Sequence, residues 1–316
     1  MKNISVFGLK DNMKKKLSGW PEGIRSIGDN FWTANANYNR LDVADCFIQF
    51  NILNPYRSYH RPRRGKSYQV ILDSKKPFLV IEEGVFRQFS EYKRVGWWSY
   101  KRDKANFNNE NADNTRWNEF VNKTGITIKD WHSPGENILI MGQLDGDSSL
   151  IEMIESGYET FFDWTIDIIK KIRKHTDRNI VFRPHPKSLI NYEEIINELN
   201  KDYGNITLSQ NKTTPLDYDI TKNGGNSLYD DFKKSHCVIT LNSNSAIEAI
   251  CEGIPVFALD KGSMAYDVAH TNLSEIENLR YDMDLTQWCN EIAYTIWNDE
   301  EIKTGQAWKH LRPVYF

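Results

Sequence analysis

Residues 237–251 read Cys237-Val238-Ile239-Thr240-Leu241, then Asn242-Ser243-Asn244-Ser245, then Ala246-Ile247-Glu248-Ala249-Ile250-Cys251. An unbroken apolar run of strand length passes through a turn of hydroxyl and amide side chains into a helix expected over 245–251. Gly253-Ile254-Pro255-Val256 then opens a second apolar run that reaches Leu259. Strand, helix and strand in such close order predict a parallel strand pair joined by a crossover helix. The alternation continues upstream. Residues 137–141 form an apolar strand ending at Gly142. Ile151, Ile154, Tyr158, Phe161, Phe162, Ile166, Ile169 and Ile172 recur at helical spacing across residues 149–175, as one long helix or two. A strand at 179–182 ends in Arg183-Pro184-His185-Pro186, and a helix at 192–199, a strand at 206–208 and a helix at 228–234 follow. Downstream, 285–297 reads as an amphipathic helix. The fold class of this half is α/β, a doubly wound parallel sheet.

The N-terminal half alternates less regularly. Apolar runs at 3–9, 45–53 and 67–72 have strand length, and residues 11–17 can open a helix. Lys76-Pro77 leads into Phe78-Leu79-Val80-Ile81, which stops at Glu82-Glu83-Gly84. A glycine after a buried strand marks a sharp turn at its carboxyl end, where open α/β sheets bind ligands. Residues 87–118 are polar, basic and aromatic without periodicity, and read as a functional or partly disordered loop. Residues 125–135, with Pro134-Gly135, read as a linker between two domains.

With 316 residues, the chain has room for two domains of ordinary size. Its 40% hydrophobic and 26% charged residues suit a soluble globular protein. No apolar run reaches the roughly 18 residues of a membrane-spanning helix, so no membrane span is expected. The N-terminus runs straight into a strand-like segment without signal-peptide character, so secretion is not expected. Cys46, Cys237, Cys251 and Cys289 lack metal-site spacing and suit a reducing cytoplasm. The net charge of −3 hides an asymmetry: residues 1–104 hold 20 Lys and Arg against 10 Asp and Glu, and the remainder 20 against 33. The split suggests that the halves meet different partners, the plainer reading being solvated faces that cluster by chance.

Four motifs carry chemistry. In Glu82-Glu83-Gly84-Val85-Phe86-Arg87, one carboxylate could take a proton from a hydroxyl, its pKa raised by its neighbour and by burial; the alternative is a polar strand end or a Glu paired with Arg87. In Gly142-Gln143-Leu144-Asp145-Gly146-Asp147-Ser148-Ser149, the glycines allow close backbone approach and a serine can cap the next helix. Asp145 and Asp147 are weak metal candidates and good turn formers. In Arg183-Pro184-His185-Pro186-Lys187, two prolines lock the loop, and Arg183, His185 and Lys187 can face a phosphate. In the fourth, Ser243, Asn244 and Ser245 can hold a diphosphate or monophosphate, and Glu248, one turn in, a pair of ribose hydroxyls.

In this order the four motifs resemble the capsule polysaccharide biosynthesis family, which includes bacterial Kdo transferases, across roughly residues 78–259. The acidic pair with glycine and the His-Pro pair are also similar to those of bacterial sialyltransferases. The chain departs from the family pattern at Gly146, where an acid is common. The resemblance implies a GT-B fold of two Rossmann-like, doubly wound domains facing across a cleft. An acceptor domain would span 1–132, with 299–316 packing back on it, and a nucleotide-sugar domain 133–298. It implies Glu83 as the catalytic carboxylate beside Glu82. It places the donor on Gly142, Gln143, Arg183, His185, Lys187, Ser243, Asn244, Ser245 and Glu248. It implies no cofactor and no metal for catalysis.

The expected function is transfer of a sugar from a nucleotide-sugar donor to a hydroxyl. Arg57, His60, Arg61, Arg63, Arg64, Lys66, Arg87, Arg94, Lys101, Arg102 and Lys104, interleaved with Trp97 and Trp98, suit a polyanionic acceptor. One such acceptor is DNA carrying hydroxymethylated pyrimidines, as in phage-type modification, with the base flipped out. The other is an anionic capsular or surface glycan. Charge places DNA slightly ahead. A CDP-glycerol-type transferase, a sugar-nucleotide epimerase and a non-catalytic binding module are the further readings.

Overall fold

The computed structural model describes residues 1–7, 17–34, 42–56, 62–188, 190–209 and 224–316, with the side chains of residues 7, 34, 62–67 and 224–227 left out. The strands are β1 (Asn3–Phe7), β2 (Asn30–Ala34), β3 (Cys46–Phe50), β4 (Phe78–Glu83), β5 (Tyr92–Trp97), β6 (Asn137–Met141), β7 (Ile180–Arg183), β8 (Ile206–Leu208), β9 (Ser235–Thr240), β10 (Val256–Ala258) and β11 (Ile296–Asn298). The helices are α1 (Trp20–Ser26), α2 (Pro62–Ser74), α3 (Thr115–Thr124), α4 (Ile151–Glu155), α5 (Phe161–Ile172), α6 (Tyr192–Tyr203), α7 (Gly224–Phe232), α8 (Ser245–Cys251), α9 (Thr286–Ala293), α10 (Asp299–Lys303) and α11 (Gln306–Leu311). The chain divides into two compact units. Unit 1 holds Met1–Val85, Phe89–Thr124 and Cys289–Phe316; unit 2 holds Phe86–Gln88 and Gly125–Trp288.

Unit 2 is built on five strands in the order β10-β9-β6-β7-β8, and every pairing is parallel. Helices cover parallel sheets on both faces, so their strands are continuously apolar, and all six residues of β9 are buried. From β6 the chain builds outward through β7 and β8, then returns to lay β9 on the other flank of β6. The topological switch point therefore falls between β6 and β9, where open sheets of this kind leave a crevice at the strands' carboxyl ends. Residues 149–175 form two helices, broken around Gly157. α5 starts at a capping box between Thr160 and Asp163 and buries Phe161, Phe162, Trp164, Ile168, Ile169 and Ile172. These pack with Ile138, Ile140, Phe182 and Ile239 in one core. Residues 125–135 lie on unit 2: the Lys129 and His132 N–H groups donate to the Cys251 and Gly253 carbonyls at 2.9 and 2.7 Å. Gly253 has φ +75, and a Cβ there would stand 2.1 Å from the Asp130 carbonyl oxygen, so its glycine is obligatory.

Unit 1 has six strands in the order β11-β5-β4-β3-β1-β2. β2, β1, β3 and β4 run parallel, while β5 is antiparallel to β4 and β11 to β5. Three sequence expectations change here. Residues 67–72 lie in α2, not in a strand: Ile71 and Tyr68 pack against Phe47, Phe78, Val80 and Tyr100, and this cover overrides their β-forming character. The segment 87–118 contains strand β5, all six residues buried, and the first turn of α3. Lys93 and Arg94 in mid-strand disguise it. The helix expected over 285–297 stops at Ala293, and Ile296–Asn298 becomes the edge strand against β5. The expected helix start at 11–17 lies almost wholly outside the described residues.

The C-terminal residues of unit 1 close over a buried acid. Asp29, 4% exposed, accepts from Trp308 Nε1 at 2.9 Å, Arg312 Nε at 2.7 Å and Nη2 at 3.2 Å, and the Lys2 backbone N–H at 2.7 Å. Burial pushes the Asp29 pKa up, but the hydrogen bonds from Arg312, Trp308 and Lys2 outweigh it and leave the carboxyl below its ordinary value. Asp29→Ala should cost about 2 kcal/mol of unfolding free energy in urea titrations, because it strands a buried indole N–H and leaves the part-buried Arg312 without its carboxylate. The carboxylate's contribution is complete above about pH 4 and is lost as pH falls through the lowered folded value.

Candidate functional site

The carboxyl ends of β6, β7 and β9 converge in unit 2. The Gly142 N–H donates to the Arg183 carbonyl at 2.7 Å. A Cβ on Gly142 would stand 2.7 Å from that oxygen and 2.9 Å from the His185 nitrogen, so glycine is what lets the exit loop of β7 lie against the end of β6. Across the switch point, the Gln143 side-chain amide donates to Asn242 Oδ1 at 2.8 Å and to Ser149 Oγ at 3.3 Å, while its Oε1 accepts the Asn242 N–H at 3.1 Å. Asn242 in turn donates to the Ser149 carbonyl at 2.8 Å and to Asp260. Gln143 therefore spends its amide on the turn that carries Ser243, and does not line the cavity that its neighbours form.

That cavity, about 140 Å3, is lined by Arg87, Gln88, Met141, Gly142, Arg183, Pro184, His185, Pro186, Leu228, Tyr229, Ser243, Ser245 and Glu248, all of unit 2. It collects Gly142, Arg183, His185, Ser243, Ser245 and Glu248, as the sequence motifs suggest. Lys187 is exposed and Asn244 half-buried, and neither lines it. Ser243 Oγ lies 2.8 Å from Ser245 Oγ and accepts the Ser245 N–H at 3.3 Å. Asp145 accepts the Phe161 N–H at 2.6 Å and Asp147 the Ser149 N–H at 2.9 Å, so both cap local backbone.

The charges in the cavity differ from the sequence reading. Arg183 is 5% exposed and is held by Asp231 at 2.5 Å, with Ser209 donating to the same carboxylate at 2.6 Å. This pair ties β7 to α7 and leaves Arg183 as a structural cation, not the open phosphate fork expected from its motif. His185 is neutral at physiological pH. Burial, then the nearby cations Arg87 and Lys187, pull its pKa down to about 4, against a smaller opposing pull from Asp147. Its Nδ1 accepts the Lys187 N–H at 3.1 Å, so the ring proton resides on Nε2. Glu248, 6% exposed, has its pKa raised by burial against the pull of Arg87, whose backbone N–H donates to it, and of Arg183. Burial, then Glu248, also pushes the Tyr229 phenol up, so it stays protonated.

The other expected site residues belong to unit 1, with one exception: Arg87, read as acceptor-binding, is counted with unit 2 and lines the cavity. Glu83 ends β4 exposed, its carboxylate 3.7 Å from Lys93 Nζ, so it lacks the burial expected for it; Glu82 Oε1 accepts the Glu83 N–H at 2.9 Å. Of the expected acceptor surface, Arg94, Trp97 and Lys101 are buried. Trp97 sits in the core and donates to the Leu311 carbonyl at 2.9 Å, and Arg94 lies 5.0 Å from the Tyr100 ring centroid. Trp98 is exposed and donates to the Tyr315 hydroxyl; Arg102 is half-buried. Arg57, His60 and Arg61 lie outside the described residues, as do the side chains of Arg63, Arg64 and Lys66. The continuous basic, tryptophan-bearing surface inferred from composition is thus partly core.

The pattern of the capsule polysaccharide biosynthesis protein family matches residues 79–270. The chain belongs to this family. Among solved structures, Thermosulfurimonas dismutans KpsC, beta Kdo 2,7 transferase, is similar with a TM-score of 0.53 at 13% identity, over 99% of this chain and 100% of that chain. The KpsC beta Kdo 2,4 transferase of the same organism has a TM-score of 0.53 at 12% identity, over 93% and 90%. At such identity these likenesses establish the fold alone, mixed α/β with two parallel-rich sheets. No curated protein matches the sequence. The family match spans the glutamate pair, the cavity loops and Gly253, and ends at His270.

Sequence reasoning missed Tyr229, Leu228, Asp231 and Asn242 as builders of this family member's cavity. The only signal for Asp231 is an acid on the apolar side of a helix that follows a buried arginine by dozens of residues; Tyr229 carries none. Heteronuclear NMR should show His185 as the Nε2-protonated neutral imidazole down to pH 6, acquiring charge only near pH 4; a midpoint close to the ordinary 6.5 would contradict the packing described.

Proposed function

We propose that the chain is a GT-B glycosyltransferase that moves a sugar from a nucleotide-activated donor to a hydroxyl of a capsular or other surface polysaccharide. Unit 2 takes the donor and unit 1 the acceptor. The observation that carries this reading is the cavity at the ends of β6, β7 and β9, where an imidazole N–H and two serine hydroxyls converge. When the acceptor oxygen bonds to the anomeric carbon and the bond to the donor phosphate breaks, charge builds on the departing phosphate oxygen. His185 Nε2–H and the hydroxyls of Ser243 and Ser245 are donors suited to that oxygen, and bonds that strengthen as charge develops lower the barrier. Glu83 takes the proton of the attacking hydroxyl, with Glu82 bracing its backbone. No metal enters the proposed steps, and the free cysteines suit a cytoplasmic site.

Family membership supports a polysaccharide acceptor over DNA. The burial of Arg94, Trp97 and Lys101 speaks against DNA in the same direction, because a polyanion tract needs exposed cations.

A panel of UDP-, GDP-, CMP- and CDP-activated sugars, offered with capsular oligosaccharides in the presence of EDTA and read by mass spectrometry, should reveal transfer to the glycan. Hydroxymethylated DNA should gain no mass, and transfer to it alone would overturn the assignment. Glu83→Gln should lower kcat by about a hundredfold or more with nucleotide affinity unchanged. His185→Ala should weaken nucleotide binding by about tenfold. Full activity in the first variant, or unchanged affinity in the second, would remove that residue from its role.

A further inference from the structure

The unit 2 cavity contains several cationic or potentially cationic groups, and all but one are accounted for. Arg183 is neutralised by Asp231. His185 is uncharged, and Lys187 stands outside the lining. Arg87 differs. It is half-buried, it lines the cavity, and among the described residues its guanidinium forms no ion pair and no side-chain hydrogen bond. Glu248, in the same lining, feels this charge, but burial pushes its carboxyl towards the neutral form, so the guanidinium remains a partly desolvated cation that an incoming anion would stabilise.

How Arg87 comes to be there is also on view. The chain on either side of Phe86–Gln88 is counted with unit 1, yet these three residues are counted with unit 2. Phe86 is 2% exposed. The Arg87 backbone N–H donates to the buried carboxyl of Glu248, on α8. That carboxyl takes the main chain of Arg87, and the guanidinium lines the cavity wall within the electrostatic reach of Glu248 and His185.

We propose that Arg87 is the cation that receives the donor's anionic group in this cavity, and that Glu248 is a positioning residue that holds Arg87 in place. The inference rests on reading the cavity as the donor site. It moves Arg87 from the acceptor, where its sequence neighbours place it, to the donor. It also moves Glu248 from a ribose-binding role to a main-chain anchor. The chemistry recognised is a phosphate oxygen pair, which the planar guanidinium fork meets with two parallel N–H bonds. His185 Nε2–H and the serine hydroxyls then add neutral donors around the same anion.

The test is isothermal titration of the full chain with CMP, CDP, UDP and GDP, without acceptor. The wild type should bind at least one of these. Arg87→Gln should weaken that nucleotide by about tenfold to a hundredfold, the loss of a charge-assisted pair. It should also flatten the dependence of Kd on salt, and Arg87→Lys should fall between the two. Glu248→Ala should lose as much as Arg87→Gln, Glu248→Gln should restore most of it because its amide oxygen still accepts the Arg87 N–H, and the Arg87→Gln/Glu248→Ala double variant should lose no more than Arg87→Gln alone. Thermal melts establish that each variant folds; should Glu248→Ala not fold, Arg87→Gln against Arg87→Lys decides the cation, and Glu248→Gln the anchor. Wild-type affinity in Arg87→Gln, with His185→Ala weakened, would overturn the proposal and leave the donor site standing. Additive losses in the double variant would overturn the anchoring role. No binding of any nucleotide by the wild type would remove the donor reading and the proposal together.

Discussion

Polar groups buried at the carboxyl ends of the parallel strands in unit 2 have little access to water, so each depends on a partner within the protein. That constraint organises the candidate site. At the switch point, Gln143 and Asn242 exchange hydrogen bonds and tie the loops after β6 and β9 together. At the end of β7, Arg183 and Asp231 form a buried ion pair that includes Ser209. On α8, Glu248 takes the Arg87 backbone N–H. An unpaired member of any of these sets would be destabilising by more than the pair contributes when complete. These bonds tie the loops to one another and to the sheet, because their polar residues have already been used.

The same constraint separates framework from chemistry. Residues whose polar atoms are consumed hold the shape: Gln143, Asn242, Asp145, Asp147, Asp231. The groups that retain unspent donors at the cavity wall are His185 through Nε2, one hydroxyl of the hydrogen-bonded Ser243–Ser245 pair, and the Arg87 guanidinium. A neutral imidazole is a sensible member of that set. It donates one directed hydrogen bond without adding a second desolvated charge beside Arg87, and its other nitrogen is occupied by the Lys187 N–H. In the proposed reaction the recognition charge and the hydrogen-bonding geometry thus come from different side chains.

Unit 1 was harder to read because its sheet is completed by residues distant in sequence. β5 carries Lys93 and Arg94 in its centre, which looks like a solvated loop. In the structure it is covered on one side by β4 and on the other by β11, some 200 residues later in the chain. The Lys93 ammonium finds the Ser90 and Tyr92 carbonyls, and Arg94 lies over Tyr100. Composition therefore overstated the cationic surface, and with it the case for a nucleic-acid acceptor. Residues 67–72 mislead for a related reason: Tyr68, Val70 and Ile71 favour a strand by type, but tertiary packing against Phe47 of β3 and Phe78 and Val80 of β4 makes them the buried face of a helix.

What the sequence by itself determined is the α/β alternation of the C-terminal half, the bounds of α8 to the residue, and the loops that meet at the cavity. Local signals sufficed because each parallel strand there is a short apolar run closed by glycine, proline or hydroxyl residues, and the crossover helices follow at once. What only the tertiary structure decided is the charge state and the duty of each residue in those loops. Whether Arg183 is open or paired depends on Asp231, 48 positions away. Whether Arg87 serves the acceptor or the donor depends on a carboxyl of α8 that holds its main chain. Those outcomes are set by desolvation and by the partner each buried group can reach, and neither quantity is written in any local stretch of the chain.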